Sequence, residues 1–299
     1  MAKMNPPVPD PKTVPHLWEY EKLRPALIKA GRLVTEKQAE RRVLMLINPS
    51  SEAPETTDTL YAGLQLVMPG EAAPAHRHSA FALRFIVEGK AGFTAIQGRR
   101  FEMKRGDVIL TPTWDYHDHG SNGDLPMIWL DGLDLPQFQH FPVHFVQHYD
   151  QLRYPAEDVP SHPTLLPWVD MQARLDSQDG EWGVARYQGN PKHGGSQTGE
   201  VSKTIGAQAE RITAGAASGA IRRETASMVY HVIDGSGKSN IGDKSLMWKK
   251  GDTFCIPSWY PYQHLADGTS DVYLYRFDDI PMISSLGFYR TAEDDWYRK

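Results

Sequence analysis

The feature that most constrains the fold of this chain is an internal repeat, in which blocks of sequence recur 145 or 146 residues apart. The recurring blocks are Phe-Ile-Val-Glu-Gly (85–89) with His-Val-Ile-Asp-Gly (231–235), Arg-Gly-Asp (105–107) with Lys-Gly-Asp (250–252), and Pro-Thr-Trp (112–114) with Pro-Ser-Trp (257–259). Because the spacing shifts by only one residue, duplication of one structural unit explains these blocks better than chance does. The 299 residues are therefore predicted to contain two copies of one unit.

The repeated unit has the sequence pattern of a β-structure. Short runs of alternating polarity are separated by Gly, Pro and Asp, and the clearest of them span 61–68, 82–87, 92–96, 108–111 and 127–130. Many short strands at close spacing indicate a β-barrel or a β-sandwich. The chain is predicted to be mainly β, with an N-terminal helical segment (1–55), a first barrel (56–136), a linker with irregular and some helical structure (137–200), and a second barrel with the C-terminal tail (201–299).

Two stretches have helical spacing of their apolar residues. Between Pro15 and Glu40, Leu and Ile recur at intervals of one helical turn, and Gly31 is a position where such a helix could break. The second stretch is Leu166 to Leu175, within the predicted linker. Trp114 and most other aromatic residues are predicted to belong to the barrel cores.

Charge and cysteine content restrict the partners of the chain. The net charge of −5 argues against binding nucleic acid or an anionic membrane through bulk charge. Cys255 is the single cysteine, so an intrachain disulfide and a thiolate zinc site are excluded, which fits a reducing compartment. The sequence shows neither a secretory signal pattern nor an apolar run near the ~18 residues of a membrane-spanning helix. We expect a cytoplasmic protein without nucleic-acid or membrane partners.

Four of the twelve histidines form two pairs in the first copy, His76 with His78 and His117 with His119. Residues i and i+2 of a strand point to the same face, so each pair directs two imidazoles into one space. An isolated His-x-His pair is more often structural, but here the second pair lies inside the repeated Gly-Asp and Pro-x-Trp frame. The two pairs together predict a site for a divalent first-row metal ion, for which neutral imidazole is a good ligand.

The second copy lacks this set of ligands. At the repeat spacing, the positions of His76, His78 and His117 are occupied by Arg222, Glu224 and Tyr262. Only the position of His119 still carries a histidine, His264. These replacements cannot substitute for three imidazoles, so one metal ion per chain is predicted. Arg222, Arg223 and Glu224 are expected to form an internal ion-pair network or a subunit contact.

The spacing of these motifs resembles that of the cupin superfamily. The matching residues are Gly70, His76, His78 and Gly89 in the first motif and Gly106, Pro112 and His117 in the second. Many cupins carry a metal-binding glutamate four residues after the second histidine, and this chain has Ala82 there. The resemblance therefore implies three neutral ligands that keep the full 2+ charge on the metal. Such a site leaves coordination positions for a dianionic substrate and dioxygen.

A closer resemblance is to the gentisate 1,2-dioxygenase family, which includes salicylate and 1-hydroxy-2-naphthoate dioxygenases. It is carried by the segments 40–44, 48–49, 74–78, 82–85 and 114–120. The resemblance implies a bicupin enzyme with one Fe(II) per chain on His76, His78 and His117. It also implies dioxygen as co-substrate, His119 as a second-sphere acid and base, and a homotetramer. The implied reaction is ring cleavage of gentisate to maleylpyruvate, between the carboxyl-bearing and the hydroxylated carbon.

Arg84 is the predicted partner of a substrate carboxylate. It follows His78 by six residues, so in a continuous strand both would face the same way, although a β-bulge would reverse this. A guanidinium can bind a carboxylate through two parallel hydrogen bonds. A rim arginine in a surface salt bridge is the alternative.

Four further residues are predicted to line the substrate pocket. Gln65 shares strand parity with Tyr61, and Asp131 shares it with Trp129, so both are expected to face the interior. Gly63 leaves room for substrate or for close approach of the backbone. The resemblance implies that one arginine of the 41–42 pair reaches the site, and Arg41 is the one we name.

The substrate and the class of function stay open at this point. The same chemistry on salicylate, a 5-substituted salicylate or 1-hydroxy-2-naphthoate is an alternative to gentisate. A metal-dependent cupin isomerase and a non-catalytic binding protein are alternatives of a different class. Ala82, Arg84 and His119 favour the oxygenase.

Overall fold

The structure, a computed structural model, describes residues 5–39 and 41–293. Within these ranges the strands are β1 (His16–Trp18), β2 (Arg42–Met45), β3 (Tyr61–Val67), β4 (Ala72–His78), β5 (Ala82–Glu88), β6 (Gly92–Ile96), β7 (Arg99–Met103), β8 (Val108–Thr111), β9 (His117–Ser121), β10 (Met127–Leu133), β11 (Val146–His148), β12 (Glu157–Asp158), β13 (Leu165–Leu166), β14 (Trp182–Arg186), β15 (Gly206–Ile212), β16 (Met228–Asp234), β17 (Ser236–Ile241), β18 (Lys244–Lys249), β19 (Thr253–Ile256), β20 (Tyr262–Ala266) and β21 (Val272–Asp278). The α-helices are α1 (Tyr20–Leu33), α2 (Glu36–Ala39), α3 (Trp168–Asp176) and α4 (Ile280–Ser285), and two short 3-10 helices span Leu135–Gln139 and Pro191–His193.

The strands form two barrels, as the repeat predicts. The first barrel has a sheet of order β13-β8-β5-β10-β3-β2 and a sheet of order β11-β4-β9-β6-β7-β12. The second has a sheet of order β1-β19-β16-β21-β15-β14 and a sheet of order β18-β17-β20. All five segments that the alternating pattern singles out are strands, so the predicted mainly β fold with two tandem barrels is confirmed.

Segments outside the two repeated units complete the sheets. β2, from the predicted N-terminal segment, pairs with β3, whereas β1 pairs with β19 of the second barrel. β11, β12 and β13 lie in the predicted linker and form edge strands of the first barrel, and β14 pairs with β15 of the second. The N-terminal segment therefore contributes a strand to each barrel.

The two barrels pack against each other through one face of each large sheet. Leu83 and Phe85 of β5 point out of the first barrel into a core shared with Tyr275 of β21, and the Phe85 and Tyr275 rings stack at 4.8 Å. Because side chains alternate along a strand, Arg84 and Ile86 point the other way, into the first barrel. Arg84 lies between Leu83 and Phe85 along the strand, so it is directed towards the interior of the first barrel.

Two sequence expectations need adjustment. The predicted N-terminal helix is α1, but Gly31 lies inside it and does not break it. Trp114 is half-buried rather than part of the core: it lies in the loop before β9, with the Arg77 guanidinium 4.5 Å from the centre of its ring. None of the helices that the structure describes is long and apolar enough to cross a membrane.

Candidate metal and substrate site

Three of the four predicted histidines meet inside the first barrel. His76 and His78 lie on β4, and β4 pairs with β9 so that His76 is opposite His117. One ring nitrogen of each lies within 4.8 Å of the others, and all three side chains are buried. The pairing of two His-bearing strands thus produces the convergence that the i, i+2 pattern predicts.

Backbone carbonyls fix the tautomer of these three rings. In each case Nδ1 lies 2.8–2.9 Å from a carbonyl oxygen two residues away, and the pairs are His76 with Pro74, His78 with Ala80, and His117 with Asp115. A carbonyl oxygen can only accept, so Nδ1 carries the proton and donates it. The Nε2 lone pairs are left for a metal ion, which is the arrangement of a typical histidine metal site.

The Nε2 atoms fit a metal ion. Those of His78 and His117 are buried without a hydrogen-bond partner among the described residues, and that of His76 contacts Arg41 Nη2. Burial, followed by the charge of Arg41, lowers the pKa of His76 to about 2 and that of His78 to about 3. The rings are therefore neutral at physiological pH, in the form that binds metal.

A cavity of about 430 Å³ reaches this cluster from outside. Its lining residues are Ala39, Arg41, Pro74, His76, Val146 and His148. Val146 and His148 belong to β11, which lies in the segment predicted to be a linker with irregular and some helical structure. The short run around Val146 has no periodicity that could identify it as a wall of the site.

Arg84 lies beside the histidine cluster, but its six-residue spacing from His78 is not the reason. β4 ends at His78 and β5 begins at Ala82, so the turn between them breaks the continuous strand that the parity argument assumes. Arg84 faces the interior because of its own position in β5. Its Nε atom is 3.1 Å from Asp131 Oδ1, its Nη1 contacts Thr111, and the side chain is 3% exposed.

Asp131 is the counter-ion of this buried guanidinium. β5 and β10 are neighbours in register, with Arg84 directly opposite Asp131. Trp129 Nε1 also donates a 3.0 Å hydrogen bond to Asp131 Oδ1. Burial raises the pKa of Asp131, and the positive charges of Arg84 and Arg41 oppose that rise.

The remaining predicted residues lie on β3 and directly before β2. Gln65 is buried and lines a narrow cleft together with Arg41. A Cβ added to Gly63 would collide with the Tyr61 hydroxyl, so the pocket is filled closely at this point. Arg42 donates to the Gly31 carbonyl at 2.9 Å and pairs with Glu71, which leaves Arg41 as the arginine that reaches the histidines.

His119 is held by Thr94, a residue outside the histidine motifs. Its Nδ1 atom is 2.8 Å from Thr94 Oγ1, and its Nε2 atom is buried without a partner among the described residues. The ring lies 5.6 Å from that of His117, centroid to centroid. The available signal is a hydroxyl residue at both repeat positions, Thr94 and Ser239.

The second barrel replaces the histidines with a buried ion-pair network. Arg222 Nη2 lies 3.2 Å from Glu210, Arg276 Nη1 lies 3.5 Å from Glu224, and Tyr262 donates to Glu224 at 2.5 Å. Arg222 and Glu224 therefore form internal ion pairs, as predicted, but with Glu210 and Arg276 rather than with each other. Arg223, the third residue of that prediction, lies over the ring of Trp259. Because the carboxylates already bind these donors, they offer no open ligand set.

The sequence of the chain matches known ring-cleaving dioxygenases over most of its length. Residues 63–132 match the family model of the cupin domain. A gentisate 1,2-dioxygenase of Aquipseudomonas alcaligenes is 38% identical over an alignment that covers 96% of this chain and 89% of that protein. A 5-aminosalicylate 1,2-dioxygenase of Comamonas sp. is 34% identical, with coverage of 92% and 80%.

The fold matches a solved structure of a related enzyme. The salicylate 1,2-dioxygenase of Pseudaminobacter salicylatoxidans superposes with a TM-score of 0.89 at 31% identity, covering 97% of this chain and 91% of that one. That enzyme has also been solved as adducts with gentisate. Sequence and fold therefore agree on one group of relatives.

Proposed function

The chain belongs to the gentisate 1,2-dioxygenase family of ring-cleaving dioxygenases, and we propose that it cleaves gentisate between the carboxyl-bearing and the hydroxylated carbon to give maleylpyruvate. The observation that supports this most directly is a cluster of three neutral histidines beside a buried arginine. The cluster suits a divalent metal ion, and the guanidinium suits the carboxylate of a small aromatic acid.

We assign one Fe(II) per chain to the Nε2 atoms of His76, His78 and His117. When bound, iron would supply coordination positions for the substrate oxygens and for dioxygen, and exchange electrons with both. The three carbonyl-bound Nδ1 atoms hold the rings in the tautomer that this requires.

Arg84 and Gln65 are the proposed binding groups for the substrate carboxylate. A buried guanidinium interacts more strongly with an anion than an exposed one does, because solvent does not screen it. Asp131 holds the guanidinium in place, so that its remaining N–H groups are oriented before substrate arrives. Arg41, which lines the cavity, adds a second positive charge. Gly63, without a side chain, lets the Tyr61 hydroxyl pack closely against the backbone.

His119 is the proposed proton acceptor and donor. Burial lowers its pKa well below the ordinary value, so the ring is neutral before substrate binds. Its Nε2 atom can accept the proton of the substrate hydroxyl and return it to the ring-opened product.

The experiment is oxygen uptake by the Fe(II)-loaded protein, mixed with substrate without air before oxygen is admitted. Ring-product absorbance is followed in parallel for gentisate, 5-aminosalicylate, salicylate and 1-hydroxy-2-naphthoate. We expect the highest kcat/KM for gentisate, followed by 5-aminosalicylate, because the relatives named for these two acids are 38% and 34% identical to this chain. Those named for salicylate and 1-hydroxy-2-naphthoate are 31% and 30% identical. Arg84→Lys keeps the charge but loses the two parallel hydrogen bonds, so KM should rise more than kcat falls.

The outcome that would refute this function is absence of oxygen uptake with all four acids. Substrate binding without uptake would favour a binding protein, and conversion without uptake would favour an isomerase. The homotetramer and the cytoplasmic location stay predictions from the sequence, to be tested by light scattering and by fractionation of cells.

A further inference from the structure

The contact that holds His119 differs in kind from those of the three metal-facing histidines. Their Nδ1 atoms meet backbone carbonyls, whereas that of His119 meets the side-chain hydroxyl of Thr94. Thr94 lies on β6 directly opposite His119 on β9, and both side chains are almost fully buried. A hydroxyl can donate or accept, so its second partner decides which it does.

The second partner of Thr94 is an acceptor. Its Oγ1 atom lies 3.2 Å from the backbone carbonyl oxygen of Asp118. Since the carbonyl cannot donate, the single hydroxyl proton is directed to it, and Oγ1 accepts a hydrogen bond from His119 Nδ1. The proton of the neutral ring then resides on Nδ1, and Nε2 keeps its lone pair.

The second barrel contains the same pair with the opposite kind of second partner. Ser239 Oγ lies 2.7 Å from His264 Nδ1, at the positions equivalent to Thr94 and His119. Here Trp248 Nε1 donates to Ser239 Oγ at 2.8 Å. An indole N–H can only donate, so Ser239 Oγ accepts from it, and His264 Nδ1 is the acceptor that remains for the serine proton among the described residues. The neutral ring of His264 then carries its own proton on Nε2.

One residue of the repeat accounts for this difference. The position equivalent to Trp248 in the first barrel is Met103, which is buried and has no N–H group to donate. The hydroxyl of Thr94 is therefore free of a competing side-chain donor from β7. Both barrels keep a hydroxyl beside this histidine, but only in the first does the hydroxyl accept from it.

We propose that Thr94 is a positioning residue that holds His119 in the Nδ1–H tautomer, so that its Nε2 lone pair faces the reacting substrate. The use made of Nε2 rests on the proposed function, whereas the tautomer itself does not. Met103 in place of tryptophan is the feature that allows this tautomer.

The direct test is neutron diffraction from crystals of the full chain exchanged into D2O. The expected result is a deuteron on Nδ1 of His119 and on Nε2 of His264. A deuteron on Nε2 and none on Nδ1 of His119 would overturn the proposal. This measurement requires no substitution and no turnover, so it holds even if the four aromatic acids prove not to be substrates.

The kinetic test compares Thr94→Val with Thr94→Ser. Valine keeps the branched shape but removes the hydroxyl, so kcat should fall at least about tenfold, within what a general base contributes, while KM changes much less. Serine should restore kcat. Ser239→Ala, the equivalent change in the second barrel, should leave kcat as in the wild type. Wild-type kcat in Thr94→Val, with gentisate turned over normally, would refute the positioning role and leave the proposed function intact.

Discussion

Arg84 and Asp131 face each other on adjacent strands of the first barrel and form an almost fully buried ion pair. At the equivalent positions of the second barrel, Tyr230 faces Arg276 in the same register. Each barrel therefore buries one guanidinium on this pair of strands. The first barrel carries it on β5, and the second carries it on β21, the equivalent of β10. In the first barrel the guanidinium has a carboxylate partner directly across the sheet and lies beside the histidine cluster.

Removal of Asp131 should be costly because it leaves Arg84 buried without its counter-ion. We expect Asp131→Ala to lower the free energy of unfolding by about 3–5 kcal/mol. The matched control is Asp158→Ala, which removes the partner of Arg100 in an exposed pair and should cost no more than about 1 kcal/mol. Urea denaturation of both variants measures the two values, and equal costs would contradict the description of Arg84 as a desolvated cation.

His117 should be indispensable for metal binding. Loss of an outer hydrogen-bond partner alone weakens metal sites by ~10–100-fold, and His117→Ala removes a proposed ligand itself, so we expect a larger loss of affinity. His148→Ala is the control, because His148 lines the same cavity but lies outside the three-histidine cluster. Elemental analysis after dialysis against a weak chelator gives the iron content of each. Full iron occupancy in His117→Ala would show that the ligand assignment is wrong.

Local patterns in the sequence predicted much of this site, because they depend on residues close together in the chain. The His-x-His pairs and the inward parity of Gln65 and Asp131 follow from the period of a strand. The ion pair between Arg84 and Asp131 depends on which strands become neighbours and in which register. Those choices are made by the packing of the two barrels, and no short-range pattern reports them.

For a similar reason, no sequence pattern indicated that β11 lines the cavity. β11 is three residues long and wholly exposed, so it has no buried face that would produce a hydrophobic period. It is a strand only because β4 offers an unpaired edge. The contact of Thr94 with His119 was detectable in principle, since a hydroxyl and a histidine recur together at the repeat spacing.

Gly63 should be sensitive to a single added methyl group. In Gly63→Ala the new Cβ would collide with the Tyr61 hydroxyl and lie 2.7 Å from Val43 Cγ1. We expect a loss of about 1–3 kcal/mol in the free energy of unfolding, from overpacking, and a rise in KM because Tyr61 must move into the pocket.

Gly132→Ala provides the comparison for Gly63→Ala. An added Cβ at Gly132 would approach Leu83 and Phe277 at 2.7 and 2.9 Å, on the face between the barrels. It should lower stability to a similar extent and leave KM unchanged. If both variants raise KM equally, the effect at Gly63 is a general consequence of destabilisation.

Glu210 should make the stability of the second barrel dependent on acid pH. Burial alone would raise its pKa, but Arg222, His264, Arg276 and the hydrogen bond from Trp182 outweigh that effect and lower it to about 2. A carboxyl group whose pKa is lower in the folded state stabilises the protein above its unfolded pKa of 4.5. That contribution is lost as the pH falls from there towards 2.

The corresponding variant is Glu210→Gln, which keeps the size of the side chain and removes its charge. At pH 7 the wild type should be more stable by about 3 kcal/mol, the free energy that corresponds to such a shift. The difference should shrink progressively below pH 4.5, because protonation then removes the charge in the wild type as well. Urea denaturation of both proteins between pH 7 and pH 3 gives this difference directly. A difference that stays constant over this range would mean that packing at Glu210, rather than its charge, stabilises the barrel.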